Sequence, residues 1–320
     1  MAVIIPDVSK QIYKEEVLSL LQSKYSSLGP LWVSFQMEWM NGIYASFKNH
    51  DKFLIVIYLL KKTLDFYSRS FVKLTYEEFY DKNTVEIEKF SIAEIAEELK
   101  IPKESARRKV NELEVLGVIK KVKKKVVIDR SSFKEIQPVV TIKKISRFLS
   151  AVSNLCENEK ILSKKITSED LELLIKNNFS YIWKLYYEMQ IPMLINYKKV
   201  FKDLETFHVF GTCVVNQHLH AMGTKQFETH KDDFLKHILY KKVPGLNAMS
   251  VSDITGIPRA TVIRKLKKLV IKKILTIDKK KHYKLSGNFI ENLKPEQNIV
   301  LEQLSNLSTK VFNFFNLKVQ

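Results

Sequence analysis

Arginine is scarce in this chain and unevenly placed. Seven of the 53 basic residues are arginine (Arg69, Arg107, Arg108, Arg130, Arg147, Arg259 and Arg264) and 46 are lysine. Four of the seven fall within residues 102–116 and 258–272, where even placement in 320 residues would put fewer than one. Lysine can supply charge anywhere, so arginine at these places points to a property lysine lacks. Its planar fork makes paired hydrogen bonds to guanine O6 and N7 or to phosphate oxygens. The competing use is a solvated helix face paired with nearby glutamates.

The residues around these arginines extend the same chemistry. If Ala106, Val110 and Leu113 face inward on a helix, then Lys103, Ser105, Arg107, Arg108 and Asn111 lie outward or at the flanks. In the second segment Val262, Leu266 and Leu269 face inward, leaving Arg259, Thr261, Arg264, Lys265 and Lys268. Ser105 and Thr261 fall in first turns, where a hydroxyl and free N–H groups can hold a phosphate. Arg107, Arg108 and Arg264 are the candidates for base edges, while Glu104 suits a helix start better than an acceptor for cytosine N4. Downstream stand lysine clusters: Lys120, Lys121, Lys123, Lys124 and Lys125, then Lys279, Lys280, Lys281 and His282. Like charges packed this closely repel, so an anionic partner is their natural use and a solubilising turn the alternative. Residues 91–130 hold 11 basic and 7 acidic side chains, and residues 247–288 hold 11 and 2. The second cluster is therefore the stronger attractor of phosphate, and the first is free to be more selective.

Other chemistries find little support. GxxxxGK[ST], GxGxxG, HExxH and GxSxG are all missing, so no catalytic residue and no cofactor is expected and the chain does not read as an enzyme. His218 and His220, with His208 nearby, do not share a helix face and are not expected to bind metal. Cys156 and Cys213 have no metal or disulfide spacing, and Cys213 reads as a core thiol. Trp32, Trp39, Trp183 and the aromatics of 181–187 read as core, with the lining of an effector pocket as the alternative.

The basic segments belong to a repeat. Ser91–Phe133 matches Asn247–Phe289 without a gap at an offset of 156, pairing Ile101 with Ile257, Pro102 with Pro258, Arg108 with Arg264, Leu113 with Leu269 and Phe133 with Phe289. Upstream, FKNHDKF at 47–53 resembles FKDLETF at 201–207 at an offset of 154. Before that the match loosens, with Trp32 set against Trp183 and Leu18, Leu20 and Leu21 against Leu171, Leu173 and Leu174. In the first copy Ser91 and Glu94 form a capping box, and Ile92, Ile95, Ala96 and Leu99 make an apolar stripe. Pro102 takes the first position of a second helix, Gly117 caps its end, and Val118–Ile119 and Val126–Ile128 flank a lysine-rich hairpin tip. In the second copy Thr255 replaces Leu99 and Lys273 replaces Gly117.

The segments IAEELKIPKESARRKVNELEVLGVI and GIPRATVIRKLKKL resemble the winged helix-turn-helix core of bacterial transcription regulators, within the broad superfamily of IclR-, GntR- and MarR-type proteins. The resemblance covers about 40 residues in each half. It implies that the second helix enters the major groove and that the basic wing lies along the backbone or minor groove.

These readings combine into one expectation. The fold is mainly α with small β-hairpin wings, as two winged helix-turn-helix units in an internally duplicated chain. The N-terminal repeat spans 1–138, with a helical region at 10–80 and a winged helix at 85–133. The C-terminal repeat spans 139–320, with a helical region at 140–240, a winged helix at 242–289 and a helical tail at 290–320. No Gly/Ser linker separates the halves, so they should pack together. A formal charge of +18 attracts polyanions, although lysine-rich usage also follows from an AT-rich genome. The longest apolar run, Phe53–Leu60, is too short to span a bilayer, and Pro6 cuts Ala2–Ile5, so neither a membrane partner nor a signal peptide is expected. The function expected is a cytoplasmic transcription regulator on double-stranded DNA, acting as a pseudo-dimeric monomer or a homodimer, with any small-molecule effector left open. A plasmid- or phage-type replication initiator and a winged-helix protein scaffold are the alternatives.

Overall fold

The computed structural model describes residues 8–132, 138–222, 229–240 and 243–319. The run Ala2–Ile5 and the residue Phe133 lie outside the described residues. Among the described residues the chain is mainly helical, with two small antiparallel sheets. Its elements run α1 Lys14–Ser23, α2 Tyr25–Phe47, α3 His50–Arg69, α4 Tyr76–Tyr80, β1 Thr84–Ile87, α5 Ile92–Glu98, α6 Lys103–Val115, β2 Ile119–Val122 and β3 Lys125–Asp129. Then come α7 Val139–Asn158, α8 Ser168–Asn177, α9 Phe179–Phe201, α10 Leu204–Met222, α11 Lys231–Tyr240, α12 Ala248–Thr255, α13 Arg259–Ile271, β4 Leu275–Ile277, β5 Tyr283–Leu285 and α14 Asn288–Val319. Among the described residues no helix is long and apolar enough to cross a membrane.

Local chemistry sets the boundaries. Asn49 caps α3 by accepting from the Lys52 N–H at 3.2 Å, and Asp203 accepts from the Thr206 N–H at 2.7 Å at the start of α10. Just before each cap the chain turns through a left-handed residue, Lys48 at φ 50° and Lys202 at φ 71°. Ser91 and Glu94 form the expected capping box on α5. Pro102 and Pro258 are caps, one residue before the helical position expected for Pro102, because each ψ near 135° is extended.

A register of 154 aligns the long helices end to end: α1 with α8, α2 with α9, and the start of α3 with that of α10. This corrects the looser pairing read upstream. Trp32 corresponds to Tyr186 and Trp183 to Gly29, while Val17, Leu20 and Leu21 correspond to Leu171, Leu174 and Ile175. From α5 and α12 onward the register is 156, as expected.

The helices of the two halves interlock. α3 lies against α9 and α10 against α2, each more extensively than against its own sequence neighbour. α7 covers α8 and α2, and α14 returns to cover α1 and α9. One continuous buried cluster runs from Ile12 to Phe315. The helical regions therefore share a core, and a large apolar surface holds the halves together. Each small α–turn–α–hairpin unit docks on this body, α6 against α3 and α13 against α10.

The first sheet has three strands in the order β1-β3-β2, so β1 joins the expected hairpin as a partner of β3, with Val85 opposite Ile128. The second sheet has two strands, and Leu246 bridges to Tyr283 where β1 would stand.

Candidate nucleic-acid interface

Each unit presents one helix whose apolar face is buried and whose basic face is open. On α6, Ala106, Val110 and Leu113 are buried; on α13, so are Val262, Leu266 and Leu269. Lys103, Arg107, Arg108 and Asn111 are exposed, as are Arg259, Arg264 and Lys268. Ser105 and Thr261 are half-buried at their first turns. Lys267 is a further exposed cation on α13 missing from the expected set, although its spacing of three from Arg264 is a signal that could have found it.

Lys265 is a correction. It is only 5% exposed, and its Nζ lies 2.6 Å from Asp203 Oδ1 and 3.6 Å from Glu205. Its stem completes the inward face, and the ammonium ends in the acidic start of α10, so it docks the helix on the body and is not available to DNA. Lys109, its counterpart on α6, does the same, with Nζ 3.6 Å from Asp51 and donating to the Ser105 hydroxyl at 3.3 Å. Asp51 also accepts from Lys198 of α9 at 2.9 Å.

The two exposed faces differ in charge. On α6, Arg107 lies 3.4 Å from Glu104 and Arg108 lies 3.8 Å from Glu112, whose carboxylate also takes Lys52 at 2.7 Å. Lys52 holds Glu112 below the usual carboxylate range, chiefly through that hydrogen bond. α13 carries no acidic residue, and among the described residues no carboxylate pairs with Arg259, Arg264, Lys267 or Lys268. Pairs as exposed as those on α6 add little stability, but they do reduce the net field of that face.

The hairpins follow the same division. Around β2 and β3, Lys120 pairs with Asp129 at 2.6 Å, Lys125 with Glu86 at 2.6 Å and Lys121 with Glu114 at 3.8 Å. Lys120, helped by Ser131, holds Asp129 down to about 2. Three expected wing cations thus face carboxylates of the same unit while staying exposed, and Lys123 and Lys124 stand exposed at the tip with no ion pair among the described residues. In the second hairpin Lys279, Lys280 and Lys281 are exposed, and no ion pair engages them among the described residues. Asp278 folds that turn by accepting from the Lys280 and His282 N–H groups, each at 2.9 Å, and its carboxyl is lowered chiefly by the His282 bond.

Other candidate chemistry resolves into packing. Arg130 is buried, donating to the Phe79 carbonyl at 2.7 Å and lying 4.2 Å from the Tyr80 ring centre. Trp183 stacks between Phe179 and Tyr186 at 5.1 and 4.7 Å. His208 bonds Asn41 through Nε2 at 2.7 Å and His50 through Nδ1 at 3.2 Å. Among the described residues no cluster of His, Cys, Asp and Glu is arranged to hold a metal ion. Cys156 and Cys213 are buried, which pushes each thiol up to about 12.

No family model, curated protein or solved structure matches this chain.

Proposed function

We propose that this chain binds double-stranded DNA through two winged helix-turn-helix units, α5–α6 with β2–β3 and α12–α13 with β4–β5, and that it acts as a transcription regulator in the cytoplasm. The observation that carries the reading is the uncompensated cationic face of the second unit. Arg259, Arg264, Lys267 and Lys268 on α13 and Lys279–Lys281 on the adjoining hairpin gather seven exposed cations, none in an ion pair among the described residues. A helix that keeps such a face free of carboxylates, on a chain of charge +18, suits a phosphate backbone.

The first unit contributes differently. Its arginines lie beside Glu104 and Glu112, which lowers the net charge of that face and favours selective contact over general attraction. On this reading one chain carries two such units on a shared helical core and does what two subunits of a dimer usually do. A mobility-shift titration with random-sequence duplex DNA tests the reading. With about six to ten phosphates neutralised, affinity falls roughly 10³–10⁵-fold between 50 and 200 mM salt. Binding without salt dependence, or no binding at low salt, overturns it.

A further inference from the structure

Two equivalent residues project from the open faces of α6 and α13. Val115 is 89% exposed and Ile271 80%, and among the other described large apolar residues only Phe71 is more exposed. Each is the last residue of its helix, and they correspond at the 156-residue register. A single aliphatic on a surface is ordinary. Here both units keep one at the same place, although Asn111 corresponds to Lys267, Glu112 to Lys268 and Leu116 to Lys272 around it.

Helical spacing sets both on the ridge that points away from the body. Residues 4, 3 and 4 apart follow one side of a helix. The series are Glu104, Arg108, Asn111 and Val115 on α6, and Ala260, Arg264, Lys267 and Ile271 on α13, all exposed. The buried series Ala106, Val110 and Leu113 lies opposite the first, and Val262, Leu266 and Leu269 opposite the second. Each aliphatic thus ends the line that holds Arg108 or Arg264, about 10 Å further along the helix. That distance is about three base-pair steps.

The surroundings of Ile271 select what can cover it. α13 carries no carboxylate, and Lys267, Lys268 and Lys272 flank the side chain. A second copy of the chain laid on this ridge would bring cation against cation, and an apolar protein surface would have to desolvate the ammonium groups. The major groove of duplex DNA answers both parts. It offers phosphates to the cations and, on every thymine, a C5-methyl group to an aliphatic side chain.

We propose that Val115 and Ile271 are specificity-determining residues, each packing on a thymine methyl within about three base pairs of the base met by Arg108 or Arg264. The proposal rests on the DNA-binding reading and adds to it the base that the aliphatics select.

The probe is a duplex selected by the full chain from a random-sequence pool, with its thymines replaced one at a time by uracil. That change removes the methyl and leaves the hydrogen-bonding edges and phosphates in place. One thymine in each half-site should be sensitive, its replacement weakening binding about 3- to 5-fold, the effect of returning one methyl group to water. Ile271→Ala should lose the sensitivity at one of these thymines and keep it at the other, and Val115→Ala should do the reverse. Both variants should keep the circular dichroism and the salt slope of the unaltered chain, which separates a methyl contact from a phosphate contact. Uracil tolerated at every position, or sensitivity that both variants retain, overturns the proposal, and salt-dependent binding then leaves the DNA reading standing. Absence of binding by the unaltered chain at low salt overturns both. A dimer in sedimentation equilibrium that either variant dissociates assigns the aliphatics to self-contact and also overturns the proposal.

Discussion

The side chains of Gln36 and Gln190 hydrogen-bond to each other in both directions. Nε2 of Gln36 lies 3.3 Å from Oε1 of Gln190, and Nε2 of Gln190 lies 3.1 Å from Oε1 of Gln36. Both are buried, and they occupy equivalent places on α2 and α9, 154 residues apart. A reciprocal bond between equivalent residues marks a local twofold relation between the halves. Removing Gln36 leaves Oε1 of Gln190 without its donor while Nε2 still donates to the Tyr186 hydroxyl at 2.9 Å, so Gln36→Leu should cost about 1–3 kcal/mol in urea unfolding. In the cycle with Gln190→Leu, the double variant should lose less than the two singles together, by at least about 0.5 kcal/mol. Strict additivity would mean the amides do not act as a pair.

Two turn positions in each small unit need a left-handed residue, and the units fill them in opposite ways. Lys100 (φ 51°) corresponds to Gly256 (φ 68°), and Gly117 (φ 70°) corresponds to Lys273 (φ 56°). A non-glycine residue pays about 1 kcal/mol in this region. Lys100→Gly and Lys273→Gly should therefore each raise stability, by up to about 0.5 kcal/mol after the added freedom of the unfolded chain is counted. Gly256→Ala should lower it by a similar amount, although nothing lies near the added Cβ. Thermal unfolding reads all three.

Lys265 and Lys268 are both cations of α13 with different work. Lys265→Met leaves Asp203 and Glu205 without their ammonium and should lower stability while leaving the salt slope of DNA binding unchanged. Lys268→Ala should leave stability alone and flatten that slope by about one. Arg264→Ala should cost about 1–3 kcal/mol on a selected site and relax its specificity. The opposite assignment of effects would reverse the orientation of α13.

Three buried histidines make stability depend on acidity. Burial holds His208 and His218 down to about 3, and His50, buried beside His208, well below its ordinary value. The unfolded chain takes up their protons near pH 6.5 while the folded chain does not. Stability is therefore full above about pH 6.5 and falls as pH drops from there toward 3, each histidine adding up to about 1.4 kcal/mol per pH unit. His218→Leu should lower the slope of unfolding free energy between pH 6 and 4 by the share of one proton. An unchanged slope would place that imidazole in contact with solvent.

Much of each small unit is legible in the chain itself. The Ser91 and Glu94 cap, the stripe through Ile95 and Leu99, the left-handed Gly117 and the outward set on α6 all follow from contacts within about four residues. Periodicity and capping are local, so a sequence states them directly.

What the sequence alone could not reveal depends on partners far along the chain. Spacing placed Lys265 on the open face, yet Asp203, 62 residues away, draws it into the body. The hairpin cations looked uniformly free until Glu86 of β1 met Lys125, 39 residues on. The looser upstream match slipped by a residue or more because the bounds of α2 and α9, and not shared residue types, set the register, which puts Trp32 with Tyr186 and Trp183 with Gly29. Which partners bury Trp32, Trp39 and Trp183 was also beyond local reading, since the helices that cover them interlock only in the folded chain. Short-range geometry in the sequence determined the helices of each small unit and most of their inward and outward faces. Tertiary structure decided which charges face carboxylates and what covers the aromatic core, because both depend on packing between segments that the chain keeps apart.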